Sequence, residues 1–186
     1  MPSEAVGGHF DEVRLTNEVQ PEFEDVFRAQ YQRITRVIGR VIRDPARAEE
    51  LAVEVFLKWS RKPSLSGDNP EGWLYRTAVR TALNELRAEA RRARYERLFG
   101  FLPSTNGRQT PTPEDLRAAN EDRERVRAVL SRIKRREAGL LVLRSHGFTY
   151  EELATTLELN PLSIGTLLAR AQQAFRREYI TRYGDE

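Results

Sequence analysis

Arg76, Arg80, Asn84, Arg87 and Arg91 recur at intervals of four, four, three and four. On an α-helix that rhythm places them close to one face. A face of guanidinium groups suits phosphate oxygens, which arginine can grip with two parallel hydrogen bonds. Residues 72–97 hold seven arginines against three glutamates, whereas residues 1–30 hold seven acidic residues against two arginines. The formal net charge of +3 therefore conceals an acidic start and a basic middle. Clustering is the informative part, because lysine occurs only at 58, 62 and 134 and arginine supplies the basic positions throughout. Other chemistry has little to work with. The chain has no cysteine, which excludes disulfides, thiolate metal sites and a cysteine nucleophile. Its two histidines stand apart, His9 in the polar N-terminal arm and His146 in a turn. No glycine-rich phosphate loop, zinc-type His-Glu-x-x-His or nucleophile elbow is present. The residues point to a protein that binds rather than catalyses, with no metal and no cofactor.

The elements that must carry these residues are helices. Four steps put a side-chain acceptor immediately before proline: Asp44-Pro45, Asn69-Pro70, Thr112-Pro113 and Asn160-Pro161. Each pairs an N-cap with the fixed φ of a first helical residue. Between them the apolar residues follow helical spacing. One stripe is Phe23, Val26, Phe27, Tyr31, Ile34, Val37, Ile38 and Val41, and a second is Ala48, Leu51, Ala52, Val55, Phe56 and Trp59. A third helix runs from Pro70 to about Arg97 with Trp73, Leu74, Ala78, Leu83, Leu86 and Ala90 facing inward. No alternating strand pattern appears, so the expected fold class is all-α. Leu98–Pro111, rich in Gly, Pro, Ser and Thr, reads as a linker that carries Phe99, Phe101 and Leu102. The expected organisation is an acidic, disordered arm at 1–19, a helical domain at 20–97, the linker at 98–111 and a second helical domain at 112–182. That second domain reads as helices at Pro113–Ile133, Arg136–Ser145, Tyr150–Leu157 and Pro161–Tyr179.

Thr149–Arg177, TYEELATTLELNPLSIGTLLARAQQAFRR, closes this second unit. Thr149 and Glu152 form a capping box, and Asn160-Pro161 restarts the chain after a tight turn. Ala154 is the small residue where two helices cross, with Leu153, Leu157, Leu159, Ile164, Leu167 and Leu168 as the wedge between them. The spacing is that of a helix-turn-helix, whose second helix ordinarily enters a DNA major groove.

Asp44–Trp59 (DPARAEELAVEVFLKW), Glu71–Arg92 (EGWLYRTAVRTALNELRAEARR) and Ala128–Arg177, in that order, resemble the extracytoplasmic-function sigma factors of bacterial RNA polymerase. The resemblance covers nearly everything outside the first ~20 residues and the linker. It implies an alternative sigma factor that binds core RNA polymerase and directs promoter recognition and transcription initiation. It places the polymerase contact on Glu49, Glu50, Leu51, Val53, Glu54 and Leu57 of the second helix. An acidic face with exposed apolar residues suits docking on a basic coiled coil. The downstream promoter element falls to Ser64, Ser66, Asp68 and Asn69, which would line a pocket for a flipped base. Arg76, Arg80, Asn84, Arg87 and Arg91 would follow the strand by its phosphates. Trp73 and Tyr75 offer stacking surfaces, although Trp73 also reads as core. The upstream element falls to Tyr150, Asn160, Ser163, Thr166, Arg170, Gln173 and Arg177. The resemblance further implies promoter DNA and an anti-sigma factor as partners, a monomer when free, no insertion into the membrane, and a cytoplasmic location. The polar, acidic N-terminus fits neither a secretory signal nor a transit peptide.

The chain departs from that pattern in three places. Val53 stands where the family usually has glutamine. Val79-Arg80 and Asn84 replace a common Arg-Asn followed by Asp. Leu159–Ala169 has no basic residue, and Gly165 lies among its exposed positions. Two other readings use the same residues: a sigma-like interaction protein, a decoy or a binder of polymerase or an anti-sigma factor, that has lost promoter reading, and a stand-alone helix-turn-helix regulator.

Overall fold

The computed structural model describes residues 21–61, 69–99 and 114–184, and every regular element among them is helical. The expected all-α class is what the chain adopts. Among the described residues seven α-helices follow one another: α1 Pro21–Val41, α2 Pro45–Arg61, α3 Pro70–Phe99, α4 Glu114–Leu130, α5 Arg135–Ser145, α6 Tyr150–Leu157 and α7 Ile164–Tyr183. The prolines act largely as the sequence suggested. The Asp44 carboxylate accepts from the Ala46 N–H (2.9 Å), and the Asn69 side-chain oxygen accepts from the Gly72 N–H (2.7 Å). Both satisfy amides that a helix start leaves without a partner. The Thr112-Pro113 step lies outside the described residues.

Helices α1, α2 and α3 pack on one another. At their centre Phe56 is fully buried, with Phe27 edge-on at 4.9 Å and Phe23 and Tyr31 completing a ring of aromatics. Helices α4 to α7 form a second group in which α7 lies against α4, α5 and α6. The two groups meet along α3, which touches α4, α5 and α6, and their apolar residues form one continuous core from Ile34 to Leu168. Tyr75 stands edge-on to Phe148 at 4.9 Å, and Gly139 brings α5 close to Val79.

Several expectations need adjustment. Ala90 is exposed rather than inward, because the last three turns of α3 extend beyond the body that its first five turns pack against. Leu98 and Phe99 continue α3 instead of opening a linker, and residues 100–113 lie outside the described residues. Helix α4 stops at Leu130 rather than Ile133, α5 starts at Arg135 rather than Arg136, and α7 continues to Tyr183 rather than Tyr179. Pro161 opens a single 3₁₀ turn, Pro161–Ser163, before α7 proper begins.

Candidate functional site

The outer face of α2 is built by the same periodicity that buries its inner one. Ala48, Leu51, Ala52, Val55, Phe56 and Trp59 point into the bundle, which turns Glu49, Glu50, Val53 and Leu57 outward. Val53 is 40% exposed and Leu57 45% exposed, one turn apart. Leu51, at 2% exposure, belongs to the core, so of the six residues assigned to polymerase contact it is the one whose side chain does not reach the surface. Arg47 bridges much of the acidic charge. Its guanidinium lies 2.9 Å from Glu50, 3.9 Å from Glu54 and 3.3 Å from Glu85 on α3. The hydrogen bonds to Glu50 and Glu85 push the arginine's pKa up. Glu54 also lies 3.8 Å from Lys58. The face is therefore acidic at its rim and apolar at its centre, with Glu49 outside any ion pair among the described residues.

The arginine face of α3 is divided in its use. Arg80, Asn84 and Arg91 are exposed. Arg76 and Arg87 instead reach across to the second group of helices. Arg76 donates to the Thr156 carbonyl (2.7 Å) and pairs with Glu158 (2.7 Å). Glu158 ends α6 in the left-handed region, φ 53°, where its N–H caps the Ala154 carbonyl. Arg87 donates through Nε to the Ser131 carbonyl (3.1 Å) and through Nη2 to the Ile133 carbonyl (2.8 Å). Burial lowers its pKa, with Arg135 and Arg91 adding to the effect. These carbonyls lie just beyond the end of α4, where a cation also complements the helix dipole. Two further contacts tie the groups together. Arg127 donates to the Val41 carbonyl (3.1 Å), and Arg43 pairs with Glu124 (2.6 Å).

Of the residues expected at the downstream element, Ser64, Ser66 and Asp68 lie outside the described residues. Asn69 spends its side-chain oxygen on the cap of α3, and its amide covers the Cα of Gly72, where a β-carbon would clash. Tyr75 is buried, its hydroxyl donating to Gln30 (3.4 Å), and Trp73 is half-buried.

The last two helices carry the remaining assigned residues. The Thr149–Glu152 capping box forms in both directions, at 3.2 and 2.7 Å. Leu153, Ala154, Ile164 and Leu168 are buried between α6 and α7. That packing leaves Thr166, Arg170, Gln173 and Arg177 on an exposed face of α7 at steps of four, three and four. Tyr150 is 50% exposed beside them, with the Arg144 guanidinium over its ring at 5.7 Å. Asn160 and Ser163 are engaged in the turn. The Asn160 side chain accepts from the Leu162 N–H (2.9 Å), and the Ser163 hydroxyl donates to the Asn160 carbonyl (2.8 Å). Leu162, absent from the sequence-derived set, is 94% exposed at the head of this surface. No sequence signal singled it out, since the spacing of the apolar residues around the turn does not say which of them the packing leaves outside.

Residues 26–92, which span most of α1, all of α2 and most of α3, match the family described as sigma-70 region 2. The chain is 28% identical over 159 residues to the RNA polymerase sigma-H factor of Pseudomonas aeruginosa, covering 81% of this chain and 82% of that protein. It is 24% identical over 173 residues to the ECF RNA polymerase sigma factor SigE of Mycolicibacterium smegmatis, covering 89% of this chain and 64% of that protein. A solved structure, the sigma factor RpoE in complex with the anti-sigma factor NepR from Bartonella quintana, has a TM-score of 0.48 to this chain. Its sequence identity is 17%, and the likeness covers 84% of this chain and 96% of that one. Residues 26–92 thus match a sigma-factor region, and over most of its length the chain is similar to proteins named as RNA polymerase sigma factors. Among the described residues no helix is long and apolar enough to cross a membrane.

Proposed function

We propose that this chain is an extracytoplasmic-function-type sigma factor serving transcription initiation, and that it docks on core RNA polymerase through the outer face of α2, with Val53 and Leu57 as the apolar centre and Glu49, Glu50 and Glu54 as the acidic rim. The observation that carries the reading is the pair of large apolar side chains left outward on a helix whose other large apolar residues are buried. Charge at the rim steers the encounter, and burial of the centre supplies affinity. Residues 20–97 act as the polymerase-binding and promoter-melting unit and 112–182 as the upstream-reading unit. Residues 100–111 connect them, and 1–19 form an acidic arm. Arg80, Asn84 and Arg91 follow the promoter strand, joined by Arg76 and Arg87 once the carbonyls of Thr156, Ser131 and Ile133 release them. The exposed face of α7, with Tyr150, contacts the upstream element. The protein works by binding rather than catalysis, in the cytoplasm where polymerase and promoter DNA are. It is a monomer when free and is restrained by an anti-sigma factor.

The test is co-elution of the purified chain with bacterial core polymerase, beside a Glu50→Arg/Glu54→Arg variant and a Val53→Glu/Leu57→Glu variant. Association that both variants lose, with unchanged melting temperature, supports the α2 interface. Association retained by both variants removes it, and no association of the parent chain removes the whole reading.

A further inference from the structure

The recognition surface of α7 poses a chemical problem. Base edges are most often read by Arg, Lys, Asn or Gln, and the stretch Leu159–Ala169 offers only Asn160 from that set. Asn160 is already committed as the cap of the turn, and the Ser163 hydroxyl is committed to the Asn160 carbonyl. The groups that project freely at the front of the surface are the Leu162 side chain and the methyl-bearing side chain of Thr166. Gly165 lies one step behind, its Cα facing the Tyr150 ring, with 3.7 Å between Tyr150 Cε2 and the place a β-carbon would occupy. That packing keeps the ring at the flank rather than in front. Leu162 is held in place from below, because its own N–H is tied to Asn160.

We propose that Leu162 is a specificity-determining residue that reads a thymine through its C5-methyl group in the major groove. The proposal rests on the promoter-binding reading of α7. Thymine alone among the bases presents a methyl group in that groove, and apolar side chains recognise it by contact. Complementary charge stands on the same surface. Arg170 and Arg177 lie further along α7 and Arg144 beside Tyr150, placed to hold the flanking phosphates while the apolar tip enters the groove. An otherwise unexplained, almost fully exposed leucine thus finds a partner of matching chemistry. The element read this way carries a thymine opposite Leu162 where a basic recognition helix would select guanine.

The experiment uses the full chain reconstituted with core polymerase. A promoter is first selected from a library randomised across the upstream element. Each thymine of the selected element is then replaced singly by uracil, which removes the methyl group and leaves the hydrogen-bonding edge intact. Parent and Leu162→Ala holoenzymes are compared on every probe. The parent should lose about four-fold in affinity at one or two adjacent positions, the equivalent of one buried methyl group at ~0.8 kcal/mol. Leu162→Ala should bind the thymine and uracil probes equally there while keeping the parent's melting temperature. If the variant discriminates thymine from uracil as the parent does, or if no thymine responds, the assignment of Leu162 is overturned. A holoenzyme that selects no element overturns the underlying reading of α7 as well.

Discussion

Arg87 is the residue on which the structural and DNA-binding roles of α3 compete most directly. Replacing it with alanine deletes two charge-assisted hydrogen bonds and leaves the Ser131 and Ile133 carbonyls facing a gap. Each such bond contributes about 1.5–3 kcal/mol. Against that, the arginine carries a desolvation cost, visible in its lowered pKa and in a buried Nη1 that lacks a partner. The net loss is then about 2–3 kcal/mol, or a fall in melting temperature of roughly 5–10 °C for a chain of this size. Arg91, one turn further and exposed, is the control, and Arg91→Ala should change stability by less than about 0.5 kcal/mol. Urea unfolding followed by fluorescence reads both variants, with the tryptophans Trp59 and Trp73 reporting on the first helical group. Arg87→Lys should recover only part of the loss, because an ammonium cannot span both carbonyls as the guanidinium fork does. An Arg87→Ala chain as stable as its parent, or an Arg91→Ala chain that loses as much, would refute the structural role given to Arg87.

Three further substitutions test other links. Phe56→Ala empties the aromatic ring at the centre of α1–α3 and should cost about 3–5 kcal/mol in chemical unfolding; a loss below about 1 kcal/mol would mean that this core is not packed as described. Thr149→Ala removes the cap of α6 and should cost about 1 kcal/mol, read by the same assay, whereas Thr149→Ser should retain most of it. His146 titrates against its surroundings: burial lowers its pKa, the charge of Arg40 adds to this, and a backbone hydrogen bond at Arg36 opposes it. Between the ordinary histidine pKa of about 6.5 and the lower folded value, the unfolded chain binds more protons, so stability falls as pH drops through that window and levels off below it. Melting curves between pH 7.5 and 5.5 should therefore show a decline that His146→Gln makes shallower, and an identical decline in both proteins would exclude His146 as a source.

How much was legible in advance depends on how local the cause is. The starts of α2, α3 and α6 were readable because a cap and its proline or glutamate act within four residues. The inward stripe of α2 was readable because a 3.6-residue period separates buried from exposed positions without reference to any neighbour. That logic put Leu51 in the inward stripe, and its place among the polymerase contacts came from the family resemblance instead, where its burial keeps the side chain from the surface. Ala90 was misjudged for a different reason: periodicity assigns a face but does not say where the packing partner ends. The arginine rhythm of α3 was visible in full, yet nothing local distinguishes Arg76 and Arg87, which meet carbonyls 80 and 44 to 46 residues away, from Arg80 and Arg91, which do not. Leu162 entered neither the wedge nor the contact set, because nothing local in the sequence shows that its side chain stands in solvent.

The absence of basic residues from Leu159–Ala169, at the head of α7, and the proposed α2 interface bear on each other. A recognition surface that reads one methyl group and a few phosphates would hold DNA weakly alone, with a dissociation constant of the order of 1 mM. Joined to a unit already seated on polymerase and promoter, it works at an effective concentration that short connections raise to about the same millimolar range. Occupancy near one half then follows without further contacts, and a four-fold change at a single thymine moves it across the responsive part of the curve. A strongly basic helix would saturate under the same tether and discriminate less between sequences. Selectivity in this chain is accordingly expected to depend on the docking of α2. Weakening that docking with Val53→Glu/Leu57→Glu should abolish upstream-element selection even though α7 is untouched. Selection that survives in a variant no longer co-eluting with polymerase would show that α7 binds strongly by itself, and the coupling argued here would be wrong.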